Sequence, residues 1–265
     1  ASVTVSIGDE INGVLIFILL SKFINFRTSF IASLLFLIHP VQTEAVTYVS
    51  GRGDPMSVFF MLLGLWTFIK YHYSKKLLFA IISALFVILA LLSRETAIMF
   101  PLFLMIFYIS FISREKFIPA LKKSFIVSWP FWIISIVYFI LRLTVFNFEN
   151  TLNFFEQPNV YSENLLYRLY TFSHALTEYF KIIFWPVGLH MERDLPISTS
   201  FFQWPAWIGA AIIIGILFSL AKSYQLKAKS FNIWFFSWFW FFVALGPVSG
   251  IIPINAVIYE HWLYL

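Results

Sequence analysis

The chain contains no cysteine, so disulfides, thiolate metal ligands and thiol nucleophiles are all excluded. Charge is also scarce. Only 12% of the 265 residues are Asp, Glu, Lys or Arg, about half the ~25% usual for a soluble domain. Several sequence signatures are missing too. There is no HExxH pair, no phosphate-binding Walker loop and no Ser-His-Asp pattern. The five histidines lack metal-ligand spacing, so no metal and no cofactor is expected. No low-complexity tract and no convincing internal repeat is visible.

What is abundant is apolar: 60% of the residues are hydrophobic, including 34 Phe and 10 Trp, and the mean hydropathy is +0.85. One soluble core cannot bury so much, because surface shrinks too slowly relative to volume as a domain grows. Lipid as the solvent for side chains resolves the difficulty. Apolar runs at about 11–26, 28–41, 56–72, 77–92, 97–112, 125–146, 206–221 and 231–245 each approach bilayer-spanning length. The net charge of +5 falls in short connections between these runs, which argues against nucleic acid as a partner. Lys75-Lys76, the group Arg114, Lys116, Lys122 and Lys123, and the group Lys222, Lys227 and Lys229 are read as cytoplasmic, with Arg27, by the positive-inside rule. Alternation then places 42–55, 93–96, 147–205 and 246–265 outside, facing the cell exterior, the periplasm or the ER lumen. Lys70 and Arg142, near helix ends, are expected to snorkel toward the headgroups.

The expectation is an all-α polytopic membrane helix bundle, residues 1–265 forming a single multi-pass membrane domain. The first apolar run follows Asp9 and Glu10 rather than a basic region, so it is not read as a signal peptide. With no initiator Met and an abrupt stop at Tyr264-Leu265, the chain reads as a fragment of something longer. Residues 165–185 carry Leu165, Leu169, Phe172, Leu176, Phe180 and Ile183 at helical spacing, with Arg168, His174, Glu178 and Lys181 off that stripe. This predicts an amphipathic helix lying in the outer interface rather than a span.

The polar chemistry gathers on the predicted outer side. Pro40 should stop or kink the second helix and hold His39, Glu44, Arg52 and Asp54 near the membrane surface, where an ionisable group is costly unless paired or functional. Such a set suits an anionic substrate, with Arg52 clamping a phosphate and a carboxylate serving as base or hydroxyl acceptor. Asp54, just before Pro55, reads first as a helix start or a structural ion-pair partner. Arg94 and Glu95 are adjacent and cannot pair along one helix, so each needs its own partner. The stretch His190–Asp194 reads as a solvated turn with one substrate contact. Glu44, Arg52, Arg94 and Glu260 come from three outer segments, and at least two of them are expected within salt-bridge distance.

The segments HPVQTEAVTYVSGRGD, SRETAIMFP, FWPVGLHMERD and PVSGIIPINAVIYEHWLYL resemble, in order and spacing, the membrane region of the transmembrane and tetratricopeptide-repeat (TMTC) proteins. The resemblance covers nearly the whole chain. It implies a GT-C type glycosyltransferase fold with an extracytoplasmic active site, a polyprenyl-phosphate-linked sugar as donor, and an acceptor protein or glycan. In eukaryotic members it implies protein O-mannosylation. It further implies a first helix and loop upstream, carrying a catalytic acid, and helical repeats downstream. The chain departs from the pattern at Tyr259-Glu260-His261-Trp262, where relatives often carry Glu-Arg.

These readings put Glu44 and Asp54 forward as catalytic carboxylates, and His39, Arg52, Arg94, Glu95, Arg193 and Glu260 as substrate-binding residues. A membrane transporter or lipid-binding scaffold is the alternative, though a transporter should carry ionisable groups near the midplane on broken helices.

Overall fold

A computed structural model describes residues 2–47, 49–145, 160–190, 193, 195–225, 231–251 and 257–265. Among them every regular element is helical. The principal helices are α1 (Ser2–Leu20), α2 (Phe26–Ile38), α3 (Thr43–Thr47), α4 (Gly53–Ser74), α5 (Leu77–Ser93), α6 (Phe100–Phe107), α7 (Phe117–Thr144), α8 (Val160–Glu163), α9 (Leu165–Phe184), α10 (Trp204–Gln225) and α11 (Phe231–Leu245). Four segments are long and apolar enough to cross a bilayer: Glu95–Ile112, Phe117–Thr144, Trp204–Gln225 and Phe231–Val248. α2 and α5 are shorter apolar helices. Large apolar side chains such as Ile31, Leu35, Ile81, Leu85, Ile133, Ile136, Ile214 and Phe218 point outward, while Ser29, Ser33, Ser83, Ser128 and Ser135 are buried. Apolar outside and small polar inside is the arrangement lipid favours, and the chain is an all-α, multi-pass integral membrane protein.

The chain forms two compact units, Ala1–Leu141 with Tyr264–Leu265, and Arg142–Leu263. In the first, α1 packs on α2 and α4, and α4 packs along α5. The α4–α5 seam is closed by small residues. A Cβ on Gly64 would come within 3.2 Å of Val87. The Ser83 hydroxyl donates to the Gly64 carbonyl at 2.7 Å, and the Ser57 hydroxyl donates to that of Ala90 at 3.2 Å. Such close approach replaces the hydrophobic drive that lipid removes. Phe68 of α4, Phe100 of α6 and Phe131 of α7 meet edge to face, with centroids 6.1 and 5.1 Å apart along the chain of contacts.

The run expected as one helix over 97–112 is a composite: a 3-10 turn at Glu95–Met99, then α6, then a π-turn at Tyr108–Ile112. Pro101, in the first turn of α6, cannot donate the hydrogen bond that would continue an α-helix from upstream. Arg142, expected to snorkel, is buried at 6% exposure.

In the second unit α9 packs on α10, α10 on α11, and Ala175, Leu176, Tyr179, Leu245 and Ile258 form a core. α9 forms over the expected residues, and the expected stripe divides: Leu176 lies in this core, and the buried face extends to residues off the stripe. Leu165 and Leu169 are exposed, whereas Thr171, Ser173 and His174 are buried. The reason lies in α10: the Gly209 backbone comes so near the Ser173 carbonyl that no Cβ would fit. At that separation the Ser173 hydroxyl donates to the Ala206 carbonyl at 2.6 Å, and that of Thr177 to Pro205 at 2.9 Å. Close packing and hydrogen bonding add these polar residues to the inward face, beside the apolar Ala175, Leu176 and Tyr179.

Candidate active site

The first group of polar residues is built where α2 ends and α4 begins. Pro40 disfavours helical backbone in the residue before it. His39 is accordingly extended (φ −69°, ψ 125°), and its Nδ1 accepts from the Val41 N–H at 3.2 Å. His39 therefore serves as the cap of the turn at Pro40–Gln42. That turn, α3 and a second turn at Val49–Arg52 lead the chain into α4. Glu44 is half-buried on α3, and Gln42 is buried just before it. Arg52 is exposed immediately before α4, with no ion pair to a described residue.

Asp54 sits in the first turn of α4, where the helix dipole favours a negative charge. α5 ends at Ser93, and Arg94 follows in extended conformation. A Cβ on Gly53 would stand 2.8 Å from the Ser93 carbonyl oxygen, so the glycine lets the end of α5 close onto the start of α4. This closure brings Arg94 Nε to 2.9 Å from Asp54 Oδ1, in a pair with 29% and 10% side-chain exposure. Glu95, half-buried, opens the next turn.

Sequence reasoning missed a network beside this pair. Asn12 Nδ2 donates to the Pro55 carbonyl at 2.9 Å and to the Tyr264 hydroxyl at 3.1 Å. Tyr264 in turn donates to Asp9 Oδ1 at 2.7 Å. Burial, with the charges of Asp9 and Asp54, pushes the Tyr264 hydroxyl far above its ordinary range, so it stays a donor. Two carboxylates, Asp9 and Asp54, thus share one end of this unit. The available signal was the Asp9/Asn12 spacing, three apart and on one helix face. Buried acceptors Asn12 Oδ1 and Gln42 Oε1 lack a hydrogen bond among the described residues.

In the second unit Glu260 is 2% exposed. Its Oε1 accepts from the His190 N–H at 2.8 Å and from Arg193 Nε and Nη2 at 3.0 and 2.7 Å. Arg193 Nη2 also donates to the Gly188 carbonyl at 2.7 Å. Arg193 was expected in a solvated turn; a buried carboxylate holds it instead. Met191, Glu192 and Asp194 lie outside the described residues. Of the four charges expected to pair among themselves, Arg94 takes Asp54 and Glu260 takes Arg193.

No protein-family profile matches the chain. No solved structure matches it either. The chain is similar to Protein O-mannosyl-transferase F38B6.6 of Caenorhabditis elegans, 24% identical over 245 residues, covering 91% of this chain and 33% of that protein. A 53-residue stretch is 47% identical to Protein O-mannosyl-transferase TMTC3 of Homo sapiens, covering 20% of this chain and 6% of that protein. The mouse protein of the same name matches over 53 residues at 47% identity. The chain thus spans about a third of the length of the worm relative and a small part of the mammalian ones.

Proposed function

We propose that the chain is the membrane part of a glycosyltransferase of GT-C type. It moves mannose from a polyprenyl-phosphate donor to a protein hydroxyl on the extracytoplasmic side. The observation that carries this reading is the partly buried Asp54–Arg94 pair at the start of α4, two residues from the exposed Arg52. Charges held at a membrane boundary are costly, and function is the usual reason for keeping them. The names of the similar proteins point to the same chemistry. Asp54, Arg94 and Arg52 stand at helix ends rather than midway along broken helices, which favours a transferase over a transporter.

In the proposed reaction the acceptor oxygen attacks the anomeric carbon as the carbon–oxygen bond to the donor phosphate breaks, inverting the centre. The acceptor proton passes to a carboxylate. Polyprenyl phosphate leaves as an anion, and a fixed cation stabilises the charge that develops on it. Arg52 is the phosphate clamp, and Asp54 orients the Arg94 guanidinium toward the same group. Glu44, half-buried on α3, is the carboxylate assigned to accept the proton.

The test uses full-length protein in proteoliposomes with labelled polyprenyl-phosphate mannose and an acceptor protein. Arg52→Ala should abolish transfer at unchanged melting temperature. Arg52→Lys should restore only part, since a point charge does not replace a bidentate fork. If activity falls only in step with melting temperature, Arg52 is structural and the site reading fails.

A further inference from the structure

The proposed transferase leaves unused a second concentration of charge, at the opposite end of α4. Asp54 and Lys70 lie about 24 Å apart along that helix, not far short of the ~30 Å hydrocarbon thickness of a bilayer. α1 stops at Leu20, and Lys22 stands in the turn that follows. Its ammonium lies 3.8 Å from the centroid of the Trp66 ring, while that of Lys70 lies 5.7 Å from the same ring and 5.6 Å from Phe79. The two lysines, both exposed, flank an open cavity of about 620 Å³ lined by Phe23, Ile69, Tyr73 and Phe79. Neither makes an ion pair with a described carboxylate.

Two ammonium groups over one indole repel each other, and among the described residues cation–π attraction to Trp66 and Phe79 opposes that repulsion. An anion between them would convert the repulsion into attraction. The walls decide which anion. Phe23, Ile69 and Phe79 suit acyl chains or a glycerol backbone better than a hydrated polyanion. Tyr73, Leu77 and Leu78 beside the cavity are strongly exposed, as side chains facing lipid and headgroups are. Basic pockets between membrane helices are suited to lipid headgroups.

We propose that this cavity binds the phosphate of an anionic membrane lipid, with Lys22 and Lys70 as its two cationic contacts and the aromatic walls against the lipid body. The site is independent of the transferase reading and stands or falls without it.

The full chain, purified into nanodiscs of mixed phosphatidylglycerol and phosphatidylcholine, is released into native mass spectrometry and its retained lipid is counted. One phosphatidylglycerol per chain should be kept in preference to phosphatidylcholine. Lys22→Gln with Lys70→Gln should reduce that retention about tenfold or more, while Lys75→Gln with Lys76→Gln should leave it in place. Should the double variant fail to fold, Lys22→Gln alone provides the reading, with partial loss expected. Unchanged retention in the Lys22 and Lys70 variants would overturn the proposal. So would equal loss in the Lys75 and Lys76 variant, which would mean diffuse surface charge. A free-anion arm completes the test: inorganic phosphate that raises the melting temperature as far as phosphatidylglycerol does, through the same lysines, would overturn the lipid assignment.

Discussion

Replacing Gly53 by Ala adds one methyl group at the point where α4 meets the end of α5. The added Cβ would lie 2.8 Å from the Ser93 carbonyl oxygen and 3.5 Å from Arg94 Cδ. Backbone cannot swing aside as a long side chain can, so the seam must open by about half an ångström or α4 must shift, at ~1–3 kcal/mol for such overpacking. Alanine returns up to ~1 kcal/mol of helix propensity, and less at a first helical position. The net expectation is a loss of ~1–2 kcal/mol. The same opening stretches the 2.9 Å Asp54–Arg94 contact and the 3.2 Å Ser57–Ala90 hydrogen bond one turn further along. Small misplacement of a reacting geometry costs up to ~100-fold in rate. Transfer activity should therefore fall further than stability alone explains. Thermal melting by intrinsic tryptophan fluorescence gives the first quantity and transfer assays at saturating donor the second. Gly215→Ala is the control, because a Cβ there meets nothing within 4 Å, and it should stabilise by ~0.5–1 kcal/mol. Equal melting temperatures and equal activity for wild type and Gly53→Ala would refute the claim that this glycine sets the approach of Arg94.

Other measurements probe other parts of the structure. Glu260→Ala strands Arg193 in a largely buried position, and breaking such a pair costs ~3–5 kcal/mol, so chemical melts should show the second unit loosening; a shift below ~1 kcal/mol would mean the pair behaves as a surface contact. Burial holds the His174 imidazole below its usual range, an effect only partly opposed by Glu178. Below about pH 6.5 the unfolded chain therefore binds the proton that the folded chain resists. Stability contributed by the neutral ring is present above that pH and lost as pH falls toward the folded value. Melting temperature should drop between pH 7 and 5, and His174→Gln should flatten that drop; an unchanged slope would count against it. A cysteine introduced at Ser50 should react with an impermeant thiol reagent from outside and one at Ser223 should not. The opposite pattern would invert the proposed topology.

Much of the candidate site was legible because it depends on neighbours in the chain. Pro40 ends α2 wherever it occurs, so the bend after His39 could be read directly, and the runs of Phe, Ile and Leu announce helices in lipid whatever their partners. Arg94 and Asp54 were both singled out, but their pairing was not. It depends on the α4–α5 approach, for which the spacing of Gly53, Ser57 and Gly64 was the available sign. Asp9 went unused because its partner Tyr264 lies at the other end of the chain.

The sequence by itself determined the class of solvent, the helical architecture and which residues could bear charge at a membrane boundary, since composition, proline geometry and hydropathy act locally. Tertiary structure alone decided which charges meet, which face of α9 turns inward and which polar groups stay buried. Those outcomes turn on contacts of a few ångströms between distant segments: Gly53 against Ser93, Gly209 against Ser173, Tyr264 against Asp9. In lipid, where burial of apolar area no longer distinguishes one helix face from another, such close contacts and hydrogen bonds carry the choice.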